Sequence, residues 1–199
     1  MRVALFGGSF DPPHHGHIAI ATAAADAFEL DRVLFAPTGH QPLKPEGASA
    51  KFADRLAMVR LVCTEDPRFA ASNVDSPRAD GMPNYTVETL TLLKETMPEA
   101  KLFNLVGADS FLDLPRWRLP ERLLELAEWI VVSRPGFPIA SLSELDLTPN
   151  QRDHIHLLQT VHEDVAATNL RERLEAGDPC VDLLPEAVAA YIKEHRLYR

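Results

Sequence analysis

The stretch "GGSFDPPHHGH", residues 7–17, follows directly on the apolar run "RVALF" of residues 2–6. A short apolar run that ends at glycines predicts a buried β-strand whose backbone leaves the sheet at Phe6. Gly7 and Gly8 remove Cβ atoms at a point where a nucleotide could approach the main chain. Two prolines then stiffen the approach to a helix. The stretch therefore predicts a strand, a tight loop and a helix in succession.

Outward from this stretch, short apolar runs alternate with amphipathic segments. The predicted strands cover residues 2–6, 32–37, 68–74, 101–107, 129–133 and 154–158. The predicted helices cover residues 15–28, 51–64, 86–96, 119–127, 168–175 and 186–195. This alternation indicates a single-domain α/β fold, Rossmann-like and doubly wound, with helices on both faces of a parallel sheet. Ligands of such sheets bind at the carboxyl ends of the strands, where residues 7–17 lie.

Bulk composition narrows the classes of protein. The chain has 199 residues, enough for one domain over residues 1–199, with a C-terminal helical part from about residue 165. A formal charge of −9 argues against a general nucleic-acid surface. No apolar run approaches the roughly 18 residues that span a bilayer, and no signal peptide is evident, so we expect a cytoplasmic protein. Cys63 and Cys180 have no metal-type spacing, which favours reduced thiols over a disulfide.

Spacing distinguishes the three histidines of the loop. His14 and His17 are three residues apart, which places both on one face of a helix's first turn, whereas His15 does not share that face. Two imidazoles at a helix N-terminus suit charge developing on phosphates. Two other interpretations stay open at this point: a zinc site built on the three histidines, and a purely structural cluster.

The amino-acid sequences of several segments resemble those of one family. "GGSFDPPHHGH" is similar to the GGxFDPxHxGH signature of bacterial nicotinate mononucleotide adenylyltransferases, members of the HxGH nucleotidyltransferase superfamily. Further similar segments follow in the family's order: "PTGHQPLKP" (37–45), "NYTVETL" (84–90), "VGADSFLDLPRW" (106–117), "VVSRPGFP" (131–138) and "VAATNLRERL" (165–174). Residues 139–163 match poorly, and we assign them no role.

The resemblance implies a role for each matching residue. The catalytic phosphate contacts would come from His14, His17, Lys44 and Arg171. ATP would contact Gly7, Gly8, Ser9, Phe10, Gly107, Asp109, Arg134 and Thr168. Nicotinate mononucleotide would contact Thr86 at a helix start and Trp117 by stacking on the pyridine ring. Arg118 stands where an aromatic residue or histidine is common in the family, and we hypothesise that it pairs with the nicotinate carboxylate.

Each of these residues also has a simpler interpretation. Thr86 and Thr168 are expected to be helix N-caps in either case, and Asp109 could be a cap as well. Arg134 and Arg171 could be solvated arginines, and Trp117 an ordinary core residue.

The chain also departs from the family at a few positions. Gln41 and Leu43 depart from the family's PxxxPPHK loop, and Ala166 and Ala167 stand where serines are usual.

The expected activity is transfer of the adenylyl group of ATP to nicotinate mononucleotide, with Mg²⁺ arriving with ATP. The partners would be these two substrates, with no nucleic acid, no membrane and a possible homo-oligomer. Two alternatives stay open: the same chemistry on nicotinamide mononucleotide or another phosphate acceptor, and a nucleotide-binding sensor without activity.

Overall fold

The computed structural model describes residues 1–43, 47–133, 145, 147–159 and 167–199. Its strands are β1 (Arg2–Gly8), β2 (Arg32–Pro37), β3 (Phe69–Ala71), β4 (Lys101–Gly107), β5 (Glu128–Ser133) and β6 (Ile155–Gln159). Its helices are α1 (His15–Ala27), α2 (Phe52–Val62), α3 (Thr86–Thr96), α4 (Ala108–Leu112), α5 (Pro120–Leu126), α6 (Pro149–Asp153), α7 (Ala167–Glu175) and α8 (Glu186–His195), with a 3-10 turn at Leu114–Arg116. All six predicted strands and all six predicted helices are confirmed.

The six strands form one sheet in the order β3-β2-β1-β4-β5-β6, and every neighbouring pair is parallel. The chain moves outward from β1 in one direction, then returns and moves outward in the other direction from β4. This arrangement confirms the doubly wound, Rossmann-like fold. The direction of winding reverses between β1 and β4, and at such a point the connections diverge and leave a crevice at the carboxyl ends of the strands.

Side chains of β1 alternate between two cores, as a strand covered on both faces requires. Ala4 and Phe6 point to the face packed by α1, α2, α7 and α8. Val3 and Leu5 point to the face packed by α3, α4 and α5. The C-terminal helices contribute Leu170 and neighbouring apolar residues to the first of these cores.

Three details differ from the sequence-based expectations. β1 does not leave the sheet at Phe6, because Gly7 and Gly8 still pair with Ala36 and Pro37 of β2. The third strand is shorter than predicted, and the 3-10 turn and α6 were not predicted. Within the described ranges the longest helix has 13 residues, and no helix there has the length and apolar character required to cross a membrane.

Two threonines are not the N-caps that we predicted. α3 begins at Thr86 itself, and its cap is Tyr85, whose side chain makes no capping hydrogen bond. α7 begins at Ala167, which places Thr168 inside the first turn. In both cases the threonine lies within the first turn of its helix and does not precede it.

Candidate active site

The loop after β1 leaves open space at the point where the winding reverses. A Cβ atom built on Gly7 would meet no other atom within 4 Å, so this main chain is accessible from the carboxyl edge of the sheet. A Cβ atom on Gly8 would instead lie 3.3 Å from the ring of Phe10. Open space therefore lies beside Gly7, whereas Gly8 packs against Phe10.

His14 and His17 lie side by side at the start of α1. Their ring centroids are 3.8 Å apart, and His14 is the cap residue of the helix. The backbone N–H of His14 donates to Nδ1 of His17 at 3.2 Å. Because Nδ1 is an acceptor, the proton of a neutral His17 ring resides on Nε2, which makes Nε2 a hydrogen-bond donor. His15, between them in sequence, is exposed.

Gly16 leaves room for the ring of His14. A Cβ atom on Gly16 would lie 3.0 Å from Cε1 and Nδ1 of His14. Gly16 is thus needed for the His14 ring to lie against the first turn of α1.

The ring of Phe10 packs against the ring of His17. Only 1% of Phe10 is exposed, its backbone is left-handed with φ of 46°, and its ring lies 4.9 Å from that of His17. Its ring also packs against Phe6 and Phe35 of the core. A buried ring has no surface to offer to ATP, so a contact there would use the backbone of Phe10.

Arg171 connects α7 to this loop. Its Nη1 donates to the carbonyl of Asp11 at 2.9 Å, and its Nη2 donates to Oγ1 of Thr168 at 3.3 Å. The arginine is therefore not simply solvated, since residues 160 positions apart in sequence meet here. An arginine and two histidines converge on one loop at the carboxyl edge of the sheet.

Gly107 and Asp109 lie on the other side of the crevice. Gly107 ends β4, next to β1, and is the cap residue of α4, while Asp109 is exposed in the first turn. A Cβ atom on Gly107 would lie 2.5 Å from Oδ1 of Asp109, so glycine is needed for this carboxylate position. The alternative of Asp109 as a cap is wrong, because Gly107 occupies that place.

Some of the predicted acceptor-binding residues lie near the start of α3. Arg118 is exposed, donates to Oε1 of Glu88 at 3.1 Å and has its guanidinium 4.6 Å above the ring of Tyr85. It therefore lies beside the first turn of α3, where Thr86 is. Trp117 is half-buried, and its ring meets that of Trp129 edge-on, with 5.9 Å between the ring centroids. Among the described residues its Nε1 has no hydrogen-bond partner.

Comparison with known proteins identifies the family. The chain matches the cytidylyltransferase-like family model over residues 5–173. It is 42% identical over 197 residues to a protein of Roseiflexus sp. (strain RS-1) named "Probable nicotinate-nucleotide adenylyltransferase", a match that covers 99% of this chain and 98% of the relative. A protein of the same name from Roseiflexus castenholzii is 43% identical over 199 residues, covering 100% of this chain and 98% of the relative. The chain belongs to the nicotinate-nucleotide adenylyltransferase family.

Solved structures agree with the fold of this family. The nicotinic acid mononucleotide adenylyltransferase of Plasmodium falciparum, solved in complex with NaAD, has a TM-score of 0.75 at 16% identity, with 99% of this chain and 97% of that chain covered. At that identity the likeness shows a common fold.

Three residues that belong to the site in space were not singled out from the sequence. Asp11 lies within the histidine loop, and Arg55 and Tyr198 hydrogen-bond to that loop; all three are buried. Arg55 donates to the carbonyls of Ser9 at 2.6 Å and Thr38 at 2.8 Å, and burial lowers the pKa of its guanidinium. A signal for Arg55 was present, because it lies three residues after Phe52 on the apolar stripe of α2 and a charge there demands partners.

Two predicted site residues lie outside the described residues, Lys44 and Arg134. Within the described ranges, no three His, Cys, Asp or Glu side chains are grouped to hold a metal ion. Cys63 and Cys180 are both free thiols, and burial raises the pKa of Cys63 to about 12.

Proposed function

We propose that this protein transfers the adenylyl group of ATP to nicotinate mononucleotide and forms nicotinate adenine dinucleotide and pyrophosphate. The observation that carries the proposal is the convergence of His14, His17 and Arg171 on the loop after β1. Support also comes from the relatives at about 40% identity over the full chain, which bear the name of this activity.

In this reaction the phosphate of the mononucleotide attacks the α-phosphorus of ATP in line, and the bond to pyrophosphate breaks. A phosphate monoester is already ionised at neutral pH, so no general base is required. The protein then acts by positioning and by stabilising charge. Nε2 of His17 and the His14 ring supply donors at the N-terminus of α1, where the helix dipole also favours anions.

The pyrophosphate side of ATP would lie toward α7. Arg171 offers a planar guanidinium suited to phosphate oxygens, and its bonds to Asp11 and Thr168 keep it beside the histidine loop. We assign Lys44 to the same phosphates and Arg134 to the adenine side, both by resemblance. The nucleotide would approach the main chain at Gly7 and lie along Gly8 and Ser9 toward Gly107 and Asp109.

Mg²⁺ fits this proposal as an ion carried by ATP. The donors on the loop are imidazole and guanidinium N–H groups, which suit phosphate oxygens, whereas Mg²⁺ prefers oxygen ligands. When bound, the ion would neutralise negative charge on the phosphates of ATP.

The acceptor would lie at the start of α3. Thr86 and Arg118 both lie there, and a helix N-terminus with an adjacent guanidinium favours the nicotinate carboxylate over a neutral amide. The carboxylate would compete with Glu88 for Arg118. Trp117, which follows the 3-10 turn, would stack its ring on the pyridine.

Pyrophosphate release tests the proposal directly. Purified protein with ATP and Mg²⁺ is given nicotinate mononucleotide, nicotinamide mononucleotide or no acceptor, and the dinucleotide product is identified by mass. We expect release with the acid, a smaller rate with the amide and none without acceptor. Equal rates with acid and amide would contradict the acceptor assignment, and ATP binding without release would indicate a nucleotide sensor.

A further inference from the structure

The end of the chain reaches back to the histidine loop. After α8 the backbone is left-handed at Arg196, with φ of 54°, and again at Tyr198, with φ of 56°. Residues other than glycine rarely adopt this backbone conformation. These two reversals bring Tyr198 into the core, where it is 8% exposed although it is the penultimate residue.

The buried hydroxyl of Tyr198 has a specific partner. It donates to Oδ1 of Asp11 at 2.7 Å, and Asp11 is only 2% exposed. The same carboxylate accepts the backbone N–H of Ala50 on Oδ1 at 3.0 Å and that of Ser49 on Oδ2 at 2.6 Å. A buried carboxylate is stable only when such donors are supplied, so each of the three contributes to its position.

The position of Asp11 in turn affects the positions of the candidate catalytic groups. Its carbonyl accepts the hydrogen bond from Arg171, and it precedes His14 by three residues. Arg55 binds the carbonyl of Ser9 on the other side of Asp11. The loop is thus held at Ser9 by Arg55 and at the Asp11 side chain by Tyr198.

We infer that Tyr198 is a positioning residue, whose hydroxyl fixes Asp11 and thereby holds His14 and Arg171 in the geometry that adenylyl transfer requires. This inference rests on the proposed function. Burial and the neighbouring Asp11 raise the pKa of Tyr198, so its O–H remains a donor throughout the neutral range. The alternative is that Tyr198 only anchors the end of the chain.

The chain offers a matched control. Tyr191, on α8, also donates its hydroxyl to an aspartate, Oδ1 of Asp54 on α2, at 3.0 Å. Tyr198→Phe and Tyr191→Phe each remove one oxygen from a tyrosine–aspartate hydrogen bond near the chain end. Of the two aspartates, Asp11 belongs to the histidine loop, whereas Asp54 belongs to α2.

Steady-state kinetics and NMR of the two variants test the inference. We expect Tyr198→Phe to lower kcat about tenfold while the KM values for both substrates change less than about threefold, because a small misplacement acts on the transition state. Tyr191→Phe should keep kcat within about twofold. A normal kcat in folded Tyr198→Phe would overturn the inference and leave an anchoring role.

Two further measurements separate this inference from the proposed function. The imidazole C–H resonances of His14 and His17 should shift in Tyr198→Phe and not in Tyr191→Phe, a result that does not depend on which acceptor is used. Unchanged resonances would overturn the inference even if the protein were inactive. Asp11→Asn combined with Tyr198→Phe should cost no more kcat than the larger single effect, whereas additive losses would contradict action through Asp11.

Discussion

Replacing His17 with alanine tests whether the imidazole acts on the reaction or only on the fold. The ring of His17 is half-buried, packs 4.9 Å from Phe10 and accepts the backbone N–H of His14 at 3.2 Å. His17→Ala removes both this capping acceptor and the donor at Nε2. The two losses differ in size, which makes them separable.

The structural loss is the smaller one. A lost helix cap costs about 1 kcal/mol of unfolding free energy. In a chain of this length that corresponds to a lower melting temperature by roughly 2–4 °C. Native proteins have about 5–15 kcal/mol of stability, so the variant is expected to remain folded.

The catalytic loss is larger. Removing one preorganised donor from a developing phosphate charge costs roughly 3 kcal/mol, or about 100-fold in kcat. We therefore expect a protein with nearly unchanged circular dichroism and a melting temperature only a few degrees lower, which has lost most of its turnover.

His15→Ala is the matched control, since His15 is the adjacent, exposed histidine of the same turn. Pyrophosphate release at saturating ATP and nicotinate mononucleotide, together with thermal unfolding, is measured for both variants. We expect the kcat of His15→Ala to stay within about twofold of the parental value. Near-normal turnover of His17→Ala would refute the assignment of His17, and equal losses in both variants would indicate a general disturbance of the helix start.

Two further changes test other parts of the site, and a third tests the protonation of Asp75. Arg118→Ala should reduce the preference for nicotinate over nicotinamide mononucleotide about tenfold in kcat/KM, whereas Arg116→Ala should not; an unchanged preference would contradict the pairing. Gly7→Ala should raise the KM for ATP several-fold without changing the melting temperature, whereas Gly39→Ala, whose Cβ would lie 2.4 Å from the Pro77 nitrogen, should cost about 1–3 kcal/mol of stability. Burial raises the pKa of Asp75 above its usual 3.8, so the folded state binds more protons and the unfolding free energy falls as pH rises through the shifted pKa. Asp75→Asn should therefore be more stable than the parent at pH 7 in urea unfolding, and this advantage should vanish below pH 3.8; an equal difference at both pH values would refute it.

Much of the architecture was determined locally, and so could be predicted. Six apolar runs alternate with six helical patterns, and a strand or helix of this kind depends on the period of its own side chains. The spacing of His14 and His17 likewise placed them on one helical turn and separated them from His15. Helix starts were less predictable, because a residue with cap propensity does not by itself decide where a helix begins: Thr86 and Thr168 both lie within the first turn.

The sequence by itself determined the alternating pattern, the histidine pair and the family to which the loop belongs. Only the tertiary structure decided that Arg171 and Tyr198 both meet Asp11, from 160 and 187 positions away. It also decided that Phe10 is a support rather than a surface, and that Arg118 lies beside the start of α3. The physical reason is that hydrogen bonds between distant residues depend on how helices pack on the sheet, and local periodicity carries no information about that packing.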